Sequence, residues 1–258
     1  MKKTQQAAAL CAVLSLIASP VTLAQVSEDG MGKMVPVELL ACNYADGKGS
    51  ADLDAVVDAW NEWMDDKKVD DYAAWTLSPY YFGAEQDFDL IWLGASSDGN
   101  ALGSGTHMWL TEGGEHAAAF ADVLDCMAHI GMSSALYKAP ADGTPEGMVI
   151  SMMNCDMNEG TRYSDVRSAE LAWAEYMTEQ GSQAGTFHWF PVYGGGDQDY
   201  DYKVVTAYPT FVELGADWEQ FANGGGRAAS MEIFDDIDEC DDARVYIGQS
   251  RRAAELRD

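Results

Sequence analysis

The sequence is poor in positive charge and in histidine. It has 15 lysines and arginines against 43 aspartates and glutamates, a formal net charge of −28, and only 4 histidines. A protein with this charge repels nucleic acids and anionic membranes, so a nucleic-acid partner is not expected. The ordinary interpretation of the acids is a solvated surface, and the alternative is a surface that binds cations or a cationic partner.

The short motifs that mark common catalytic and metal sites are also missing. The sequence has no H-E-x-x-H, no C-x-x-C, no P-loop and no G-x-S-x-G. Their absence argues against a zinc protease, a thiol-redox centre, a P-loop nucleotide hydrolase and a serine hydrolase with a nucleophile elbow. We therefore predict no metal site, and no cofactor is evident from motifs alone.

Long apolar runs are absent after the first 24 residues. Lys2 and Lys3 precede a short apolar stretch that ends at Ser19-Pro20, and Thr22-Leu23-Ala24 has small residues where a signal peptidase cleaves. The stretch is shorter than the roughly 20 residues that a membrane helix needs, and the pattern is typical of a signal peptide cleaved near Ala24. We expect a periplasmic or extracellular protein without membrane insertion.

What the sequence does contain is an internal repeat with an offset of about 113 residues. Ala59-Trp60-Asn61-Glu62-Trp63-Met64 resembles Ala172-Trp173-Ala174-Glu175-Tyr176-Met177, and Cys42 and Cys126 have counterparts in Cys155 and Cys240. Tryptophan and cysteine are rare residues, so these matches indicate a duplication. Residues 25–140 form the first copy, 141–146 a linker, 147–250 the second copy and 251–258 a tail.

Each copy predicts the order β-α-β-β-α-β. An amphipathic helix is predicted in the first copy from apolar residues that recur at helical spacing, Leu53, Val56, Val57, Trp60, Trp63 and Met64, whereas Ser96–Gly105 is predicted to be a glycine-rich loop. This order belongs to the split βαβ arrangement of ferredoxin-like units. One such sheet has helices on one face only, so its other face needs a covering layer.

The element order, with the Gly103…Trp109 and Phe120…Cys126 region before the last strand, resembles the dimeric α+β barrel superfamily in its tandem, single-chain form. The resemblance implies an α+β fold of two tandem βαββαβ ferredoxin-like units whose antiparallel sheets face each other. The superfamily includes haem-dependent peroxidases, chlorite-decomposing enzymes, cofactor-free monooxygenases and stress-response proteins. The fold by itself does not choose among these activities.

Four cysteines remain after removal of the signal peptide, and an oxidising compartment favours two disulfides. Three pairings are open to four cysteines. The first and last strands of a ferredoxin-like sheet are neighbours, so the repeat favours Cys42–Cys126 and Cys155–Cys240.

The candidate pocket lies between the two sheets. His188 stands beside Trp189 in a predicted strand, and Trp75 is the proposed counterpart of Trp189. A haem-binding member needs an axial ligand, commonly histidine, for which His188 or His129 is available. The ordinary interpretations are a hydrogen-bonded strand histidine and aromatic residues that pack in a core.

Two acids and a lysine complete the candidate pocket. Asp89 and Asp201 occupy equivalent positions at strand starts, and Lys203 follows Asp201. Inside the pocket, Asp201 would find partners in Lys203 and His188. The ordinary interpretation places both acids at strand edges in water, because a buried aspartate is costly unless it is paired.

Three functional hypotheses follow. The leading one is an exported, acidic, disulfide-stabilised binding or stress-related protein without catalysis, with an inter-sheet pocket for a small apolar or aromatic ligand. The first alternative is an oxidative enzyme of the dimeric α+β barrel type, either a cofactor-free monooxygenase or a haem protein. The second is a structural or surface-interaction protein. A monomer or a small homo-oligomer suits all three.

Overall fold

A computed structural model describes residues 33–84, 86–140, 147–196 and 198–254. The predicted signal peptide and the linker 141–146 lie outside this part of the chain. The last strand runs to Arg252, so the second copy extends two residues into the segment predicted as a tail. Within the described residues, no helix combines the length and apolar character needed to cross a membrane.

The first half consists of four strands and three helices, in the order β1 (Val35–Tyr44), α1 (Ser50–Asp66), β2 (Tyr72–Tyr81), β3 (Leu90–Ser96), α2 (Gly99–Glu112), α3 (Gly114–Val123) and β4 (Leu124–Lys138). The second half has β5 (Gly147–Met157), α4 (Tyr163–Glu179), β6 (Gly185–Tyr193), β7 (Tyr202–Tyr208), α5 (Phe211–Asn223), α6 (Gly226–Ile233), β8 (Asp238–Cys240) and β9 (Arg244–Arg252). The same order of elements therefore recurs, with the short β8 added.

The segment predicted as a glycine-rich loop is largely helical. Asp98 caps α2, because its side chain accepts hydrogen bonds from the backbone N–H groups of Asn100 (2.8 Å) and Ala101 (2.9 Å). An N-cap of this kind satisfies backbone donors that have no partner inside the helix. The cap and the surrounding packing outweigh the low helix propensity of the glycines.

The strands form one closed antiparallel sheet. Its order is β7-β6-β4-β1-β3-β2-β9-β5, and β7 pairs again with β5, so eight strands close a ring to which β8 adds a short edge. The α+β class and the barrel that the resemblance implied agree with this sheet, whereas the prediction of two sheets that face each other is corrected, because the two halves share one closed sheet. The edge strands of the two halves pair at two seams, β4 with β6 and β2 with β9. Closure satisfies the backbone groups that open edges leave unpaired.

Side chains from the ring fill the barrel interior. This cluster includes Leu39, Leu77, Ile91, Met132, Met148, Ile150, Trp189, Val205 and Tyr246. An eight-stranded barrel is just wide enough for its inward side chains to fill it, which explains why the interior is a core. On the outside, helices cover the ring: α1 and α3 pack on the first half, and α4 packs on the second.

The predicted disulfides are confirmed. Cys42 lies opposite Cys126 in the β1–β4 ladder, with 3.9 Å between their Cα atoms. Cys155 lies opposite Cys240 in the β5–β8 ladder, with 4.1 Å between their Cα atoms. Each bridge joins the first and last parts of one half, as the repeat predicted.

The strand register also shows which positions of the halves correspond. Leu90 lies opposite Cys42 and Tyr202 opposite Cys155, so β3 and β7 are equivalent from these residues onward. Trp92 and Val204 each lie two residues after these positions and are therefore equivalent. Thr76 pairs with Trp92, and His188 pairs with Val204. His188 therefore occupies the place of Thr76. The sequence match of Trp75 with Trp189 is off by two residues, because Trp189 is at the level of Leu77.

Candidate functional site at the β4–β6 seam

His188 points out of the barrel and towards α4. Neighbouring residues on a strand face opposite sides of the sheet, and Trp189 faces the interior cluster. The side chain of His188 is 0% exposed and lies between the rings of Tyr137, with 4.3 Å between ring centroids, and Tyr202, with 4.8 Å. His188, a candidate for the pocket between the sheets, therefore lies on the outer face of the barrel.

The nearest charged partner of His188 is Glu170 on α4. The distance between His188 Nε2 and Glu170 Oε2 is 3.3 Å, and the Glu170 side chain is 3% exposed. That distance suits an ion pair, but the geometry of a hydrogen bond is not met. Both ring nitrogens of His188 and Oε1 of Glu170 are buried, and they have no hydrogen-bond partner among the residues that the structure describes. Buried polar atoms of native proteins are nearly always paired, so this group of three demands an explanation.

Glu170 was missed by the sequence reasoning, although the sequence carried a signal. Val166, Ala169, Glu170, Ala174 and Met177 form the buried face of α4. An acid in the middle of such an apolar face breaks the helical pattern. The corresponding position of α1 is Val57, which packs in the apolar cluster of the first half.

Tyrosine hydroxyls surround this pair. The hydroxyl groups of Tyr137 and Tyr163 are hydrogen-bonded to each other, and the hydroxyl of Tyr202 donates to Asp238 Oδ2. Burial raises the pKa of Tyr137, of Tyr163 and of Tyr202, and the nearby charge of Glu170 raises all three further. The three phenols are thus neutral hydrogen-bonding groups around a buried acid and a buried imidazole.

A small cavity reaches this cluster from the surface. Its volume is about 20 Å³, which is enough for one or two water-sized molecules. Its lining combines apolar side chains with two phenols and a cation: Met34, Ala135, Leu136, Tyr137, Tyr163, Arg167 and Leu171. Leu136 and Leu171 are 37% and 40% exposed, so the mouth of the cavity is an apolar surface.

The other predicted pocket residues lie elsewhere. Asp89 and Asp201 are exposed at strand starts, where each accepts a backbone hydrogen bond of 2.9 Å, from Tyr44 N–H and Met157 N–H respectively. They cap equivalent strand ends and do not line a pocket. Trp75 and Trp189 contribute to the barrel interior, where the Trp189 indole N–H has no partner.

Lys203 faces the barrel side of β7, away from His188. Its Nζ donates a hydrogen bond of 2.5 Å to Asn154 Oδ1 and lies 4.1 Å from the ring centroid of Tyr200. Burial, together with the nearby charge of Arg244, lowers the pKa of Lys203 to about 8. Lys203 and His188 are thus on opposite faces of the sheet and cannot serve one site.

His129, the other histidine considered as an axial ligand, is already engaged. Its Nε2 lies 2.8 Å from Glu38 Oε2, and its side chain is 61% exposed. The hydrogen bond with Glu38 raises the pKa of His129, although partial burial lowers it. Tyr72 also donates to Glu38, with 2.7 Å between Oη and Oε1. These contacts describe a surface ion pair.

The chain is similar to known proteins in structure and not in sequence. No protein-family model matches the chain, and no curated protein sequence matches it. A provisionally assigned chlorite dismutase is similar in structure, with a TM-score of 0.51 and 10% identity over 84% of this chain and 95% of that chain. A dye-decolorizing peroxidase from Bacteroides thetaiotaomicron VPI-5482 gives a TM-score of 0.50 and 9% identity over 86% and 94%. The chain has the α+β fold of the dimeric α+β barrel proteins.

A third solved structure is a haem-binding protein from Thermus thermophilus, with a TM-score of 0.49 and 12% identity over 84% of this chain and 92% of that chain. The two structures with the higher TM-scores both carry the names of oxidative enzymes. This finding contradicts the leading hypothesis of a binding or stress-related protein without catalysis.

The residues around His188 do not fit a haem. A haem needs an open volume beside its axial ligand, and small-molecule and cofactor sites measure roughly 300–1,000 Å³. His188 is fully enclosed, and the cavity next to it is about 20 Å³. His129 is exposed and paired with Glu38. Neither histidine is therefore presented as an axial ligand in this conformation.

Proposed function

We propose that the chain is a cofactor-free monooxygenase, built from two ferredoxin-like copies, with its reactive centre at the β4–β6 seam. The observation that carries the proposal is the fully buried pair of His188 and Glu170, whose ring nitrogens and Oε1 have no hydrogen-bond partner. Unsatisfied buried polar groups are destabilising, and proteins retain them mainly at functional sites.

The comparison between the halves supports a functional origin for the pair. The first half has Val57 at the position of Glu170, and Thr76 at the position of His188. Thr76 is satisfied there, since its Oγ1 accepts a hydrogen bond of 2.8 Å from Arg251 Nε. The same scaffold therefore folds with ordinary residues at both positions. The acid and the imidazole are not needed for the fold.

The lining of the cavity indicates the substrate class. Exposed Leu136 and Leu171 form an apolar mouth, whereas the Tyr137 and Tyr163 hydroxyls and Arg167 supply polar groups. A flat aromatic molecule with one hydroxyl group matches this arrangement if its ring lies outside the cavity on the exposed leucines, because a cavity of about 20 Å³ admits only the hydroxyl oxygen, which would meet the phenols. Arg167 would stabilise the phenolate form of such a substrate.

The chemistry requires only the substrate and dioxygen. Loss of a proton gives a phenolate, which transfers one electron to O₂. The resulting radical and superoxide combine at a ring carbon, and the peroxide takes back the proton released in the first step to become a hydroperoxide. The hydroperoxide then loses water, which forms from its OH group and the hydrogen of the same ring carbon, and a quinone remains. For 1-naphthol the balance is one naphthol and one O₂ to one 1,4-naphthoquinone and one H₂O. His188 does not line the cavity, so the substrate proton would pass through the hydroxyl of Tyr137, which would turn from Tyr163 towards His188, and Glu170 would stabilise the imidazolium.

The test is oxygen consumption with 1-naphthol as the probe. We expect the purified protein, in buffer with a metal chelator, to consume one O₂ per quinone formed, as measured with an oxygen electrode and by quinone absorbance. The His188→Leu and Tyr137→Phe variants should lose most of this rate. Tyr193→Phe is the control, because Tyr193 is 68% exposed at the end of β6, outside the cavity lining.

Two outcomes would overturn the proposal. One is a wild-type rate no higher than that of the Tyr137→Phe variant. The other is a Soret band on haem titration that His188→Leu abolishes, since this would show a haem protein that opens around His188.

Export remains a proposal that rests on the sequence. The signal-peptide pattern ending near Ala24 supports it, and the two disulfides suit an oxidising compartment. Fractionation of cells that produce the full chain, with N-terminal sequencing of the product, tests the compartment and the cleavage site together.

A further inference from the structure

A second cavity, of about 470 Å³, lies at the other seam, where β9 joins β2 beneath the end of α1. Its lining side chains come from the end of α1, the following turn and the end of the chain: Asn61, Asp65, Lys68, Val69, Asp70, Arg251, Arg252 and Ala253. Three of these side chains are cationic and two are acidic, in a protein of net charge −28. We call this cavity the arginine groove.

Both arginines are held in fixed positions. The side chains of Arg251 and Arg252 are 7% and 8% exposed. Arg251 Nη1 lies 2.5 Å from Asp54 Oδ1, and Arg252 Nη1 lies 3.0 Å from Asp65 Oδ1. A guanidinium that is already oriented loses little conformational entropy when it binds an oxyanion.

One hydrogen-bond donor of the arginine groove has no acceptor among the described residues. Arg252 Nη1 donates to Asn61 Oδ1 at 3.1 Å and Nη2 donates to the Val69 carbonyl, yet Nε is buried and has no partner within the described ranges of the chain. A buried N–H of a cation without an acceptor is strongly unfavourable. An acceptor oxygen supplied by a ligand would satisfy it.

The backbone at Lys68 supplies a second, independent observation. Lys68 has a φ of 60°, in the left-handed region that favours glycine. The corresponding turn after α4 has Gly181, with a φ of 87°, and both residues donate the same backbone hydrogen bond, to Asp65 O (2.9 Å) and Thr178 O (3.0 Å). A left-handed residue is the common ending of a helix, so the turn itself is ordinary. What distinguishes the first half is a cationic side chain at this position, where the second half has glycine.

We propose that the arginine groove binds a small oxyanion, either a carboxylate or a phosphate, that contacts Lys68 and the free N–H of Arg252. Charge-assisted hydrogen bonds from arginine and lysine are the usual means of holding such groups. The volume lies within the roughly 300–1,000 Å³ of small-molecule sites. Asp54 and Asp65 balance the charges of the two arginines and Asp70 also lines the groove, so the affinity would come from directed hydrogen bonds to the oxyanion and not from a net positive charge.

The test is titration calorimetry of the disulfide-bonded protein with inorganic phosphate and, separately, with citrate, at constant ionic strength. We expect saturable binding of at least one anion, and the arm that binds identifies the ligand class. Lys68→Gly should weaken binding about tenfold, the value of one charge-assisted hydrogen bond. Because Gly181 forms the same turn in the second half, this variant is expected to fold.

Lys67→Gln is the matched control. Lys67 is the neighbouring residue, but its Nζ lies 2.5 Å from Glu112 Oε2 and it does not line the arginine groove. It should bind the anion as the wild type does. Lys68→Asn, which removes the charge but tolerates a positive φ, should behave like Lys68→Gly.

The proposal is overturned if neither anion gives saturable heat, or if Lys68→Gly and Lys68→Asn both bind like the wild type. The oxygen-consumption assay addresses the opposite seam. A failure there leaves the anion titration interpretable, and a failure of anion binding leaves the proposed monooxygenase activity untouched.

Discussion

Replacement of Glu170 and His188 by leucine tests whether this buried pair stabilises the second half of the chain. Both side chains are enclosed between α4 and the sheet, with exposed fractions of 3% and 0%. Removal of one partner of a buried ion pair leaves the other without compensation and costs about 3–5 kcal/mol. Replacement of both by apolar residues of similar volume is often neutral, or stabilises by about 1–4 kcal/mol.

We therefore expect His188→Leu to be the most damaging single change, because it leaves a carboxylate in an apolar cluster. A loss of about 3–5 kcal/mol corresponds to a fall in Tm of roughly 6–20 °C in a chain of this size. Glu170→Leu leaves an imidazole without its partner and should cost about 1–3 kcal/mol. The double variant should be at least as stable as the wild type and inactive.

The measurement is equilibrium unfolding in guanidinium chloride with the disulfides intact, followed by tryptophan fluorescence and far-UV circular dichroism. Coincidence of the two transitions checks that unfolding is two-state. A double-mutant cycle then gives the interaction energy of the pair. A double variant that loses the sum of both single losses, or more, would refute the reasoning, because it would show that the pair stabilises the fold.

Three further predictions concern other parts of the protein. Lys203→Met should stabilise the protein by about 3 kcal/mol at pH 7, because the folded state lowers the pKa of Lys203 from 10.5 to about 8. Between these two pH values the unfolded state holds more protons, so the stability of the wild type rises with pH and the gain from the substitution should vanish above about pH 10.5. Unfolding experiments across this pH window measure the gain, and a gain that stays constant contradicts the shift. Replacement of Cys42 and Cys126 by alanine opens a loop of 84 residues, and chemical denaturation should show a loss of up to about 4–5 kcal/mol; an unchanged midpoint rules that out. Asp201→Ala removes the acceptor of the Met157 N–H and should lower Tm by a few degrees at a cost of about 1 kcal/mol, and a variant that melts with the wild type assigns no stabilising role to this contact.

Many of the helices and strands and both disulfide pairings were predictable from local sequence patterns. Matched cysteines at both ends of each half predicted both disulfides, because a repeated unit favours pairing within each copy. Apolar spacing predicted α1 and α4, although the acid on the buried face of α4 went unnoticed. The glycines of Gly99–Gly105 led to the wrong prediction of a loop, because a side-chain cap at Asp98 starts a helix there.

The site could not be assembled from the sequence. Alternation along β6 places His188 and Trp189 on opposite faces, but it does not say which face is inside. Pairing between strands that are distant in the chain decides that, and a slip of one residue would exchange the faces. Glu170 and His188 meet only because α4 covers the seam where β6 joins β4.

The sequence by itself determined the order of elements, the cysteine partners and the acidic character of the chain, since these depend on local spacing and composition. The tertiary structure alone decided that the two halves close into one barrel, that the barrel interior is filled, and that polar groups gather at the two seams. Closure depends on hydrogen bonds between the edge strands of different halves, and no local pattern encodes them. The candidate centre and the arginine groove both lie at these seams, so their chemistry emerged only with the closed sheet.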